Sequence, residues 1–152
     1  MKKTILILLT AMGLAACQPK CEKESCATPP ESTTETREWT IGNTVNQFDS
    51  TKVSPTKVGY QYWFADKEFL DGRTLKMSVV APHQATHAPH QHPEDEFFLV
   101  LEGTAKLFLG NDSIIVKPYT SFYCPPNVLH GIANAGDTEL KYLVMKTYPI
   151  TN

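Results

Sequence analysis

From residue 57 onward, apolar and polar positions alternate in short runs bounded by turn residues. The runs are Lys57 to Phe64, Thr74 to Val80, Glu96 to Leu101, Ala105 to Leu109, Ser113 to Val116, Ser121 to Cys124 and Leu140 to Tyr148. They are rich in β-branched and aromatic residues, which suit a pleated, half-buried surface. Turn formers separate them: Asp71-Gly72, Glu102-Gly103, Gly110-Asn111-Asp112, Pro125-Pro126-Asn127 and Ala135-Gly136-Asp137. No segment sustains a helical period, and no internal repeat is visible. Short strands at regular spacing predict an all-β barrel or sandwich of single-domain size. The aromatic run Tyr60, Tyr62, Trp63 and Phe64 reads as packing.

The first 38 residues carry none of this pattern. Lys2 and Lys3, the apolar stretch from Thr4 to Leu14, and the small pair Ala15-Ala16 follow the order of an export signal. The stretch is shorter than the ~20 residues that cross a bilayer. Leu14-Ala15-Ala16-Cys17 resembles the lipobox of bacterial lipoproteins. That resemblance implies cleavage before Cys17, lipidation of Cys17, and a membrane anchor on an exported protein. Gln18 after the cysteine resembles an outer-membrane address, which in a Gram-negative host faces the periplasm. From Gln18 to Arg37 the chain is dominated by Thr, Glu, Ser and Pro. Such a segment cannot offset its ordering entropy by burial and reads as a tether. The expected organisation is a signal peptide over 1–16, a flexible tether over 17–38 and a folded domain over 39–152. With Cys17 lipidated, Cys21, Cys26 and Cys124 remain. Export permits a Cys21–Cys26 disulfide and equally two exposed thiols.

Charge narrows the partners. The 152 residues carry a net charge of −2, and removal of 1–16 takes Lys2 and Lys3 and leaves −4. No basic patch of the kind that reads nucleic acid is present in the sequence.

The chemistry concentrates in the histidines. Of five, His83, His87, His90 and His92 fall within ten residues, and His130 lies in a second patterned segment. His90-x-His92-x3-Glu96-x6-Gly103 is followed by Pro125-x-Asn127-x2-His130-x3-Asn134. Three neutral nitrogens and a carboxylate form a donor set for a divalent transition metal. On a strand, His90 and His92 point to one face and Glu96 keeps the same parity, with Pro93 bending the chain between them. His130 must reach the site from a neighbouring strand. His83 and His87 read as loop or rim residues, and Glu94 and Asp95 as solvated loop acids. Tyr123 and Cys124 read first as ordinary strand residues, Cys124 as a small buried hydrophobe. His83, His87 and Tyr123 are the candidates for a role beside the metal if they face the cavity.

These two segments resemble the paired motifs of the cupin superfamily. His90, His92, Glu96 and Gly103 match the first motif, and Pro125, His130 and Asn134 match the second. Gln84, Tyr119 and Asn127 stand where the family pattern has glycine. The resemblance selects the double-stranded β-helix, or jelly-roll barrel, among the all-β folds. It implies one divalent metal on His90, His92, Glu96 and His130, a small-molecule ligand or substrate, and pairing of barrels into a homodimer. It also implies a small metalloenzyme, of dioxygenase or isomerase type, acting on a small oxygenated molecule. The alternative is a non-catalytic cupin that binds a carbohydrate or chelating acid, or senses metal. In an exported protein the affinity order favours zinc or copper, with iron, manganese and nickel as the other occupants.

Overall fold

In the computed structural model, which describes residues 37–149, the seven patterned runs supply seven of the nine antiparallel strands among those residues. The expected signal peptide, Cys17, Cys21, Cys26 and the expected tether as far as residue 36 lie outside the described residues. The strands are β1 Ser54–Thr56, β2 Gly59–Leu70, β3 Arg73–Val80, β4 Glu96–Glu102, β5 Ala105–Leu109, β6 Asp112–Val116, β7 Ser121–Cys124, β8 His130–Asn134 and β9 Leu140–Thr147. One sheet has the order β1-β2-β3-β9-β4-β7 and the other the order β6-β5-β8. The all-β jelly-roll expected from the sequence is the fold observed.

Three details differ from the sequence expectation. Lys57 and Val58 form the turn between β1 and β2 rather than the start of a strand. β2 runs on past Phe64 to Leu70, through register shifts after Trp63 and Ala65. β8 carries Gly131, Ala133 and Asn134, residues that signal no strand. Its extended state comes from pairing with β5, from His130↔Leu109 to Asn134↔Ala105.

Strand parity builds the core. On β4, Glu96, Phe98 and Val100 face inward while Phe97 faces out. Phe98 and Val100 meet Leu140, Tyr142 and Val144 of β9 in their own sheet, and Leu107 and Ile132 from the other. Each fully buried side chain of this size contributes about 1.5–3 kcal/mol, so this cluster clamps the two sheets together. A second cluster lies on the opposite face of β2 and β3, where Tyr62, Met77 and Val79 pack with Tyr60 and Phe64. Phe48 covers it edge-on at 4.9 Å from Tyr62, whose hydroxyl donates to the Gln47 carbonyl at 2.8 Å. The aromatic run, apart from the inward Trp63, is therefore packing.

Two of the three positions that lack the family glycine still require its backbone. Tyr119 has φ 65° and Asn127 φ 58°. Asn tolerates this left-handed conformation, whereas for a bulky residue it costs about 1–2 kcal/mol. Tyr119 is held there by its N–H, which donates to Val100 O at 2.7 Å. At Gly103, φ is 87° and an added Cβ would lie 2.5 Å from the Glu139 carbonyl oxygen, so that glycine has no substitute.

Two stability predictions follow from this frame. Tyr119 is 87% exposed, so Tyr119→Gly loses little packing and relieves strain. It is expected to raise unfolding stability by about 0.5–1 kcal/mol in urea titration. Buried Asn134 donates from Nδ2 to Val80 O (2.9 Å) and Thr138 O (2.7 Å) and accepts from Gly136 N (2.9 Å). Asn134→Ala strands those three backbone groups and is expected to cost about 2–3 kcal/mol by the same titration.

Candidate metal centre and its cavity

His130 opens β8, and His90 pairs with it as an isolated antiparallel bridge. Each backbone N–H donates to the other's carbonyl at 2.9 Å. Residues opposed in this way project their side chains to one face, and the two rings lie 5.0 Å apart. His92, two residues on, falls on the same face. Its ring is 5.2 Å from His90 and 4.7 Å from His130. The chain then crosses between sheets over residues 93–95, and Asn127 N–H donates to the His92 carbonyl at 2.8 Å at the crossing. Glu96, the first residue of β4, meets the histidines from the other sheet. Its Oε1 lies 3.1 Å from His130 Nε2 and 3.7 Å from His92 Nε2. His130 is fully buried and Glu96 nearly so.

The hydrogen bonds fix the protons. His92 Nδ1 donates to Glu94 O at 2.8 Å, and His130 Nδ1 donates to Val128 O at 2.7 Å. A carbonyl only accepts, so both Nδ1 atoms carry hydrogen. Each ring turns its Nε2 toward Glu96 Oε1. A proton or a metal ion placed among these atoms completes the contact. His92 Nε2 and His90 Nδ1 are buried without any hydrogen-bond partner, at a cost of about 1–3 kcal/mol each. Burial pushes His90 below the ordinary histidine range, and the neighbouring His87, His130 and His92 add to this. The ring is thereby kept in the neutral, ligating form.

The ligating atoms of His90, His92 and His130 lie within 4.8 Å of one another, as do those of Glu96, Cys124 and His130. The donor set fits a divalent metal, and backbone carbonyls orienting the ring N–H groups are the usual support of metal-binding histidines. Cys124 stands opposite Glu96 in register. Burial, with the Glu96 charge adding, pushes its thiol up to about 12. The protonated thiol packs in the core, as a small hydrophobe does.

The remaining candidates separate. His87 lies at the cavity rim, its ring 4.3 Å from His90. His83 does not face the cavity: 64% of its side chain is exposed, and Nε2 lies 2.9 Å from Asp137 Oδ1. Tyr123 does not face it either. Cys124 points inward, so its neighbour points outward, where Tyr123 packs on Phe97 at 4.9 Å. Glu94 is not a solvated acid. Its Oε2 lies 3.4 Å from both His92 Nδ1 and Lys146 Nζ. Its own backbone N–H holds the carboxyl below the usual range, helped by Lys146.

Beside this cluster is a cavity of about 150 Å³ whose lining includes His87, His90, Glu96, Lys76, Lys146 and Tyr142. The two lysines went unread in the sequence. Their signal is a charged residue at an inward position of an alternating strand: Lys76, Ser78 and Val80 on β3, and Leu140, Tyr142, Val144 and Lys146 on β9. Burial pushes the Lys76 ammonium below the ordinary lysine range; the Glu96 charge opposes this and Lys146 adds to it.

Residues 76–146 match the Cupin_2 family of cupin domains. The chain is 32% identical over 73 residues to mannose-1-phosphate guanylyltransferase RfbM of Salmonella typhimurium, covering 48% of this chain and 15% of that protein. It is 30% identical over 77 residues to an uncharacterized protein of Methanocaldococcus jannaschii, covering 51% of this chain and 61% of that one. The chain thus spans less than two thirds of either curated relative. A Cupin 2 conserved barrel domain protein of Salinispora arenicola has a similar fold at TM-score 0.57 and 17% identity, covering 68% of this chain and 87% of that one. With the strand topology, these matches show a cupin barrel fold, and the match to the Cupin_2 family spans residues 76–146.

Proposed function

We propose that this protein is an exported, lipid-anchored cupin metalloenzyme acting on a small oxygenated molecule. The observation that carries the metal is the convergence of three imidazoles and Glu96, with buried nitrogens that have no protein partner. His90, His92, Glu96 and His130 would hold one divalent ion, zinc or copper in an exported compartment. When bound, such an ion supplies Lewis-acid polarisation of a substrate oxygen or of water. The protein's own residues do the rest. Val128 and Glu94 carbonyls hold the His130 and His92 rings in the ligating tautomer. Phe98, Ile132 and Val144 give the cavity apolar walls, and its small volume limits the water that enters with a ligand. His87, the cavity histidine outside the ligand set, stands where a proton can be passed at the rim.

A non-catalytic binding module is the second reading, and the cavity itself favours it equally. The two separate on turnover. An enzyme converts its ligand and loses that conversion in His90→Ala and His130→Ala with the fold retained. A binding module returns its ligand unchanged and tolerates an inert metal.

Elemental analysis of the natively exported protein tests the site. About one equivalent of zinc or copper is expected, with loss of most of it in His90→Ala and in His130→Ala. A folded wild type without metal would overturn the metal reading, and full occupancy by iron or manganese would overturn the assignment of the ion. The anchor has its own test. Cys17→Ser is expected to move the protein from the membrane fraction to the soluble fraction, because a diacylated cysteine supplies the anchoring chains; unchanged fractionation would sink the lipoprotein reading.

A further inference from the structure

The cavity beside the histidines carries a positive charge, that of Lys76, which makes no ion pair among the described residues. Lys146, its side chain 10% exposed, is matched: it stands opposite Glu96 in register and its Nζ is 3.4 Å from Glu94 Oε2. Lys76 is not. It projects inward from β3, one row along from Lys146, and its Nζ lies 5.1 Å above the Trp63 ring. Among the described residues, no carboxylate lies within ion-pair distance of it. Holding a half-buried ammonium without a direct ion-pair partner is costly. The stacking on Trp63 recovers part of that cost. A lysine at such a place, in a cavity, points to a partner that arrives from outside.

The charge balance points the same way. With a divalent ion on three neutral imidazoles and Glu96, two carboxylates (Glu94, Glu96) face two ammoniums and the ion. That leaves the cavity net positive. Its volume, about 150 Å³, is well below the ~300–1,000 Å³ of pockets that take drug-sized ligands. A short acid fits, and a carbohydrate chain does not.

We infer that the cavity binds a small carboxylate, its anionic group held by the Lys76 ammonium and its remaining oxygens turned toward the His90–Glu96 side. This deepens the metal-site reading and rests on it for the second contact, while the lysine contact stands without it. Lys76 is then the residue that selects an anion over a neutral ligand of the same shape. Lys146, committed to Glu94, sets the potential of that wall but does not itself serve as the binding group.

The test uses acetate and its neutral counterpart acetamide as probes. The full chain, exported and purified in detergent, is titrated by ligand-observed NMR in zinc-loaded and chelator-stripped forms. Bound zinc is measured in the same samples. Acetate is expected to bind and acetamide not to compete. Lys76→Met is expected to weaken acetate about tenfold or more, the size of losing a hydrogen bond to a charged group. Lys76→Arg, which keeps the charge and guards against misfolding as the cause, is expected to restore most of the affinity. Bound zinc should be the same in all three proteins. Acetate affinity unchanged in Lys76→Met, equal competition by acetamide, or no binding of acetate to the zinc-loaded wild type would each overturn the inference. If the wild type holds no zinc but acetate still binds through Lys76, the metal reading falls and the anion pocket stands.

Discussion

The structure turns on one buried polar contact between its two sheets, the approach of Glu96 from β4 to His130 from β8. Both groups lie in a region where the surrounding positions are apolar: Phe98, Ile132, Val144 and Cys124. Buried polar atoms need partners, and here the ring N–H groups of His92 and His130 are already committed to backbone carbonyls. What remains facing the interior is Nε2 of His92 and of His130, with Glu96 Oε1 between them. The apolar clamp between the sheets holds these atoms together. The core thus presents a preformed donor set that is compatible with a divalent cation.

The same logic extends outward from the ligands. Glu94 serves the site twice, by its carbonyl to His92 and by its carboxylate to Lys146. Lys146 in turn faces the cavity beside Lys76. Negative charge sits on the side of the histidines and positive charge on the side of β3 and β9. A ligand entering the cavity therefore meets a field with a direction. The fold's turn strain lies elsewhere, at Tyr119 and Asn127, where non-glycine residues adopt a left-handed backbone.

Much of the site was legible because strand parity is a local rule. His90 and His92 share a face by spacing alone, and the cross-sheet step to Glu96 needs only the few residues that separate it from His92. The turn residues marked most strand ends. β8 was not legible, since His130-Gly131-Ile132-Ala133-Asn134 has little strand propensity and becomes extended through its ladder with β5. The start of β2 was misplaced because Lys57 and Val58 look like strand residues in isolation and are a turn in context. Tyr123 was left as a cavity candidate by its place in sequence, and a one-residue difference in parity sets it outside.

By itself the sequence determined the all-β class, most turn positions and the identity of the convergent donors, because these depend on residue type and on spacings within one or two strands. The tertiary structure alone decided which strands adjoin. Glu96 and Lys146 are fifty residues apart in the chain yet opposite each other in the sheet. Lys76 reaches the same cavity through a third strand. Charges that far apart in sequence read as ordinary surface residues until the sheet order brings them to one wall. Only then does the half-buried Lys76, facing the cavity without an ion-pair partner among the described residues, become visible.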